Sequence, residues 1–326
     1  MLRLLHLEPK RYEDDLLLKL EKNFSVTCFE PRSQEELNDF VNDERFECIF
    51  TRLGISINHE VISKQPNLKF IVSPTTGLNH IDLSLAKEKS IDVISLKGET
   101  KFLENVRSTA EHTWAILLSL IRNINDACID VKLGSWRREP FIADELDGKK
   151  IGIIGYGRIG KMIARYASAF NMKVLVHDTD PNIFYDSSTD ILPISSPEEI
   201  FKESEIISLH IPYSLENIDY VDSKKINLMR EGAYIINTSR GELIDEEALL
   251  VALSDGKIKG AALDVLQGDS AWEESSDPKN KLVEYAKRNT NLIITPHMAG
   301  YGEVSISKTR RFITEKFLRC FSLKCH

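Results

Sequence analysis

The chain has 326 residues, enough for two domains that each bury a core, which excludes a single small domain. Its 42 Lys and Arg against 50 Asp and Glu give a formal charge of −8 with no basic block, so nucleic acid is not expected as a partner. At 42% hydrophobic and 28% charged the chain should fold, and its longest strongly apolar stretch, residues 115–121, falls well short of a membrane helix.

The opening MLRLLHLEPKRY turns charged too early for a secretory signal, so a cytoplasmic protein is expected. Cys28, Cys48, Cys128, Cys320 and Cys325 form no Cys-x-x-Cys pair and no cluster with histidines, and no metal is assigned. The terminal Cys325-His326 pair is read as a frayed end.

Over residues 2–96 the apolar runs LRLLHL, SVTCF, ECIF, KFIV and DVISL alternate with the helical stretches DDLLLKLEKNF and SQEELNDFV. That alternation predicts a parallel sheet with crossover helices. Ser108-Thr109-Ala110-Glu111 then has capping-box spacing, which predicts a helix with Ser108 as its N-cap. Trp114, Leu117, Leu118, Ile121 and Ile124 continue it at helical spacing, and this helix is taken as the connection between domains.

A second set of runs, IGIIG, KVLVHD, EIISLHI, AYIINTS, GAALDVL and NLIITPH, predicts a second doubly wound sheet, so the fold class is α/β throughout. The acidic stretch QGDSAWEESSDPKNK at 267–281 is read as a loop. Residues 305–323, with Ile306, Arg310, Ile313, Phe317 and Cys320, predict an amphipathic helix that packs back on the first domain.

Gly155-Tyr156-Gly157-Arg158-Ile159-Gly160 follows the run IGII and enters the helical stretch KMIARYASAF. In that context Gly155 permits a tight turn, Gly157 lets a pyrophosphate approach the backbone, and Gly160 lets helix and strand pack closely. The next run ends in Asp178, 23 residues after Gly155, where an acid accepts hydrogen bonds from the adenosine ribose. An aspartate there repels the extra phosphate of NADP, so NAD is the expected cofactor.

Ligands of an open parallel sheet bind beyond the carboxyl ends of its strands. Arg240 follows AYIINTS, Asp269 lies beyond GAALDVL, and His297 follows NLIITP. Hydride transfer to a carbonyl beside a nicotinamide needs a proton donor, a group that fixes its tautomer, and a cation that orients the substrate. Histidine, carboxylate and arginine supply those three in turn.

The order GYGRIG, IINTSRGELIDEEAL, GAALDV and TPHMAG, with TTGLNHID and RSTAEHT upstream, resembles the D-isomer-specific 2-hydroxyacid dehydrogenases, of the phosphoglycerate dehydrogenase-like type. The resemblance implies a Rossmann cofactor domain (101–300) inserted into a flavodoxin-like substrate domain (1–100 plus 301–326). It implies that Arg240 binds the substrate carboxylate and keto oxygen and that His297 is the general acid in reduction and base in oxidation. Arg158 and Ile159 would meet the pyrophosphate. Thr238, Ser239, Arg240, Asp264 and the stretch from His297 to Gly300 would line the nicotinamide side, with His210 close to the cofactor. Backbone N–H groups of Thr76, Gly77 and Leu78 would hold the substrate carboxylate. His112 is read as a packing or supporting group, and His80 lies in a matched segment.

The family's partner acid is a glutamate five residues beyond the aspartate of GAALDV, where this chain has Asp269, followed by Ser270 instead of the family's proline. Either the loop moves in, or Glu273 or Glu274 takes over, or the histidine is less well oriented. Arg52, Lys97, Lys101 and Arg107 are read as solvated charges, with a phosphate-bearing substrate as the alternative. A homodimer through the cofactor domain is expected, to which the Gly134-Ser135-Trp136 segment could contribute. The expected function is NAD-dependent interconversion of a small 2-keto acid and its D-2-hydroxy acid. The alternative is an NAD(H)-binding sensor or corepressor-like protein with weak or lost catalysis; formate or phosphite oxidation is a lesser one.

Overall fold

The structure, a computed structural model, describes residues 1–181, 183, 191–269 and 279–324. These divide into two compact units, residues 1–106 with 301–324 and residues 107–269 with 279–300. No helix among the described residues is long and apolar enough to cross a membrane, and none of their His, Cys, Asp or Glu side chains group in threes to hold a metal ion.

The first unit is built on β1 (Leu2–His6), β2 (Phe24–Cys28), β3 (Cys48–Phe50), β4 (Phe70–Val72) and β5 (Asp92–Ile94), all parallel in the order β2-β1-β3-β4-β5. Residues of β3 and β4 are buried on both faces, as expected of strands covered by helices on each side. Leu5, Ile49 and Ile71 point into one apolar layer, and Leu4, Phe50, Phe70 and Val72 into the other. The crossover helices begin where short polar side chains can cap them: Ser33, Asn58 and Asp82 each accept a backbone N–H three residues on. Helix Glu303–Lys324 closes the second layer by setting Phe317 against Phe24, Phe50 and Phe70, with ring centroids 5.3, 5.2 and 5.6 Å away.

The second unit has seven parallel strands: β6 (Lys150–Ile154), β7 (Lys173–His177), β8 (Ile191–Pro193), β9 (Ile206–Leu209), β10 (Ala233–Asn237), β11 (Ile258–Leu263) and β12 (Leu292–Ile294). Their order is β12-β11-β10-β9-β6-β7-β8. The first strand, β6, lies between β7 and β9, so the winding reverses at its carboxyl end. Both sheets and their α/β class agree with the sequence, which missed only β8, a three-residue edge strand ending in proline.

Three local expectations are corrected. Helix Ser108–Ile121 starts where the sequence placed it, but Arg107 is the N-cap and Ser108 is the first helical residue. The Ser108 hydroxyl donates to the Ala299 carbonyl at 2.7 Å instead of accepting from its own helix. The helix also stops before Ile124: Asn123 takes φ = 52° and a second helix, Ile124–Lys132, begins. Helix Ser108–Ile121 lies wholly within the second unit. Of the loop read at 267–281, residues 270–278, with Glu273 and Glu274, lie outside the described residues; Lys281 already opens helix Lys281–Ala286.

Candidate active site

The turn after β6 shows which glycines the chain itself requires. Gly155 has φ = 94°, and a Cβ there would stand 2.6 Å from the His210 carbonyl oxygen. A Cβ on Gly160 would stand 2.1 Å from the Gly155 oxygen. Gly157 is different, because its φ is negative and a Cβ would meet nothing within 4 Å. Its openness is thus toward whatever the turn receives. Gly157 is also the N-cap of helix Arg158–Ala169, and no side chain caps that end, which leaves it suited to an anion. Arg158 and Ile159 open the helix half-buried, and burial depresses the Arg158 guanidinium from its ordinary value.

Asp178 stands just past β7. Its Oδ2 accepts the Tyr156 N–H at 2.7 Å and its Oδ1 the Asp180 N–H at 2.9 Å, so it fixes the glycine turn while each oxygen keeps a lone pair for a further donor. His210 follows β9, with Nε2 2.8 Å from the Ser208 hydroxyl, and burial pushes its pKa down to about 3, so the ring is neutral. These groups fit a dinucleotide: an anion cradle, a carboxylate at the end of the next strand, and a neutral histidine whose backbone abuts the turn.

Arg240, Asp269 and His297 all emerge at carboxyl ends of the same sheet. Asn237, the fully buried last residue of β10, clamps the turn that carries the arginine: its Oδ1 accepts the Ser239 N–H at 2.9 Å and its Nδ2 donates to the Arg240 carbonyl at 2.7 Å. Ser239 Oγ donates to the Leu209 carbonyl at 2.6 Å, and Thr238 shares a 2.6 Å hydroxyl bond with Thr113. Burial lowers the Arg240 pKa, and the carboxylates of Asp269 and Glu242 oppose that shift.

His297 has φ = 50°, rare for a residue with a Cβ. Its N–H donates to the Asp264 carbonyl at 2.8 Å, and Asp264 in turn accepts the Met298 and Ala299 N–H groups on its carboxylate at 2.9 and 2.8 Å. Asp264 is only 1% exposed, turned toward this segment. Gly300 ends the turn with open space where a Cβ would be.

Asp269 Oδ2 lies 3.0 Å from His297 Nδ1. The shorter acid reaches from a tight turn. Asp269 N–H donates to the Leu266 carbonyl, its Oδ2 accepts the Leu266 N–H, both at 3.2 Å, and Gly268 takes φ = 73° to close the turn. Two residues that sequence reasoning missed tie this loop to the arginine. A Cβ on Gly241 would fall 1.9 Å from the Leu266 carbonyl carbon, so the two backbones are in direct contact. Glu246 accepts the Gln267 N–H and an Asn280 Nδ2 proton, each at 2.7 Å. The glycine after Arg240 was the visible signal; its partner 25 positions away was not.

Residues 114–299, more than half of the chain, match the family described as D-isomer specific 2-hydroxyacid dehydrogenase, NAD binding domain. The chain belongs to that family. It is 31% identical to the D-3-phosphoglycerate dehydrogenase of Methanocaldococcus jannaschii over 97% of this chain and 57% of that one. It is 32% identical to the hydroxypyruvate reductase of Thermotoga maritima over 89% of each. The crystal structure of D-lactate dehydrogenase from Aquifex aeolicus complexed with NAD and lactic acid matches with a TM-score of 0.78 at 30% identity, covering 98% of this chain and 95% of that one. The chain spans about half the length of the D-3-phosphoglycerate dehydrogenases it matches.

As in the family pattern, the second unit of this 2-hydroxyacid dehydrogenase family member is an NAD-binding Rossmann domain. In the first unit the segment Thr76-Gly77-Leu78 follows β4 in a tight hydrogen-bonded turn. His80 Nε2 lies 3.1 Å from Ser73 Oγ, Ser73 Oγ 2.7 Å from Thr75 Oγ1, and Thr75 Oγ1 donates to the Gly77 carbonyl at 2.7 Å. Arg52 is half-buried with its guanidinium donating to the Pro31 and Leu53 carbonyls at 3.2 and 3.3 Å. Lys97, Lys101 and Arg107 are exposed.

Proposed function

We propose that this protein is an NAD-dependent oxidoreductase that interconverts a small 2-keto acid and its D-2-hydroxy acid. The observation that carries the reading is the 3.0 Å His297–Asp269 pair at the carboxyl edge of the sheet that also carries the dinucleotide turn. Bound at Gly155, Gly157, Gly160 and Asp178, the nicotinamide cofactor supplies or takes up the hydride. Asp269 holds the proton on His297 Nδ1, which leaves Nε2 to exchange a proton with the substrate oxygen. In reduction Nε2 gives its proton to the carbonyl oxygen; in oxidation it removes the hydroxyl proton. The Arg240 guanidinium pairs with the substrate carboxylate and polarises the carbonyl, and burial strengthens both effects. Thr76, Gly77 and Leu78 belong to the substrate-binding set through their backbone N–H groups.

An NAD(H) sensor that has lost catalysis was suggested by the altered acid position. With Asp269 within hydrogen-bonding distance of His297, that reading loses its main support. NAD is preferred over NADP because Asp178 stands where an added phosphate would be repelled. A homodimer is part of the proposal, supported by the exposed apolar side chains of Leu133 (80%), Trp136 (80%) and Ile142 (79%) on the cofactor-binding unit. So are a cytoplasmic location and the lack of nucleic-acid or membrane partners; the net charge of −8 weighs against nucleic acid.

The test is NADH consumption with glyoxylate, pyruvate, hydroxypyruvate, phenylpyruvate, branched keto acids and 3-phosphohydroxypyruvate, with His297→Ala as the control. Turnover of one of them that the control lacks supports the proposal and names the substrate. Tight NADH binding without turnover of any sinks it.

A further inference from the structure

A second histidine and carboxylate meet under the His297 turn, and the reaction above makes no use of them. His112, on helix Ser108–Ile121, places Nε2 2.9 Å from Thr295 Oγ1 and 3.2 Å from Asp264 Oδ1. Thr295 Oγ1 is itself 2.5 Å from Asp264 Oδ1. A hydroxyl has one proton, and Thr295 spends it on the carboxylate, so toward His112 it can only accept. His112 must therefore be the donor, with its proton on Nε2.

Asp264 then receives the Thr295 hydroxyl, the Met298 N–H and His112 on one oxygen and the Ala299 N–H on the other. The Asp264 side chain is fully enclosed, so these internal donors determine where it points. It points at the two amides that directly follow His297. The same aspartate takes the His297 N–H on its backbone carbonyl. The left-handed conformation of His297 is thus held from both ends of one residue, whose side chain His112 and Thr295 keep in place.

We propose that His112 and Thr295 are positioning residues for His297. Through Asp264 they hold the 297–299 turn in the conformation that sets the imidazole against Asp269. The inference rests on the proposed catalytic role of His297, but its structural half can be tested separately. A histidine at 112 is needed for its Nε2–H donor; glutamine can present an N–H at the same reach, and leucine fills the space with none.

The experiment compares His112→Leu, His112→Gln, Thr295→Val and Thr295→Ser with the unaltered full chain. Three quantities are measured: amide hydrogen exchange at 298 and 299, the NADH dissociation constant by fluorescence, and kcat and KM for the best keto acid. In His112→Leu and Thr295→Val the two amides should exchange about tenfold faster or more, while β10 and β11 keep their protection. Their kcat should fall by about tenfold to a hundredfold, the scale of a small misplacement of a catalytic group. NADH affinity should fall by less than kcat does, since the 297–299 turn also borders the nicotinamide side, and the Gln and Ser variants should recover most of the kcat.

Unchanged exchange at 298 and 299 in both His112→Leu and Thr295→Val overturns the proposal, whatever happens to kcat. So does faster exchange with kcat intact, since the turn then does not position the catalytic group. If the unaltered protein turns over no keto acid, the dehydrogenase reading fails, and the exchange data still decide whether the brace exists.

Discussion

Gly241→Ala tests the contact that joins the two halves of the proposed catalytic group. Gly241 has no positive φ, so alanine can adopt its backbone and the effect is purely steric. The new Cβ would sit 1.9 Å from the Leu266 carbonyl carbon, 2.2 Å from its oxygen and 2.4 Å from the Gln267 nitrogen, all backbone atoms that no rotamer change can move. Ordinary contact begins near 3.4 Å, so one chain must retreat by about 1.5 Å. Overpacking of that kind costs about 1–3 kcal/mol, or several degrees of melting temperature in a chain of this size. The functional cost is larger. Leu266 is bonded to Asp269 by both its N–H and its carbonyl, and Gly241 adjoins Arg240, so the retreat pulls the carboxylate or the guanidinium out of place. A displacement of about 1 Å at a reacting group lowers turnover by about a hundredfold. The assay is steady-state NADH oxidation by the best keto acid, with a thermal melt and NADH titration beside it. Expected is kcat down by about two orders of magnitude, a modest fall in melting temperature and a smaller loss of NADH affinity than of kcat, because the glycine turn that holds most of the cofactor lies on another strand. A Gly241→Ala protein with unaltered kcat and melting temperature would refute the contact and the coupling built on it.

Gly157→Ala should melt like the unaltered protein and lose NADH affinity by at least about tenfold, since its Cβ enters only the space assigned to pyrophosphate, whereas Gly160→Ala should lose stability as well; equal melts and equal NADH binding in both would contradict these roles. His210 links stability to acid: its folded pKa of about 3 lies below its ordinary 6.5, so its contribution is intact above pH 6.5 and is lost as pH falls toward 3. The loss is about 1.4 kcal/mol per pH unit within that window, and urea titrations of His210→Gln should show a shallower decline there; an identical slope would remove His210 as a cause. Asp269→Asn keeps a hydrogen-bonding group but gives up the charge, which should lower kcat by about five- to thirtyfold. Asp269→Glu should not raise kcat, despite the glutamate usual in the family, because the aspartate already stands 3.0 Å from His297 Nδ1 and a longer side chain would have to give up that contact or its bond to the Leu266 N–H; a faster Glu variant would show that the Asp269 geometry is wrong.

Much of the frame was readable because its causes are local. Runs such as CIF and FIV are buried on both faces and therefore unbroken, and the glycine turn declares itself by the strand before it and the helix after it. Arg240 and His297 could be placed at the sheet edge because parallel sheets hold ligands beyond their strand ends, a rule that needs only strand boundaries, and both do emerge there. What escaped depends on partners distant in sequence. Ser108 has the spacing of a capping box, yet the Ala299 carbonyl, 191 residues away, takes its hydroxyl proton. Asn123 ends a helix inside an apolar pattern that runs on to Ile124, because asparagine tolerates the left-handed conformation and the pattern cannot record it. The direction of the Asp264 carboxylate, toward the His297 turn, could not be read either, because Thr295, Met298, Ala299 and His112 set it together.

The aspartate at 269 shows how a departure from a family pattern can be absorbed by backbone. Replacing glutamate by aspartate shortens the side chain by about 1.5 Å, half of the 3.0 Å separation from His297. Reach must then come from the loop, and the loop has the means: Gly268 supplies a left-handed residue, and Asp269 bonds back to Leu266 through both its amide and its carboxylate. Gly241 lets the tightened loop rest on the arginine-bearing chain at a distance no other residue permits. Together they set one carboxylate within hydrogen-bonding distance of the imidazole. A carboxylate 3.0 Å from His297 Nδ1, reached from a turn built on Gly268 and Leu266, is the arrangement that a proton-exchanging imidazole requires, which is why the altered acid, in this geometry, supports the proposed chemistry.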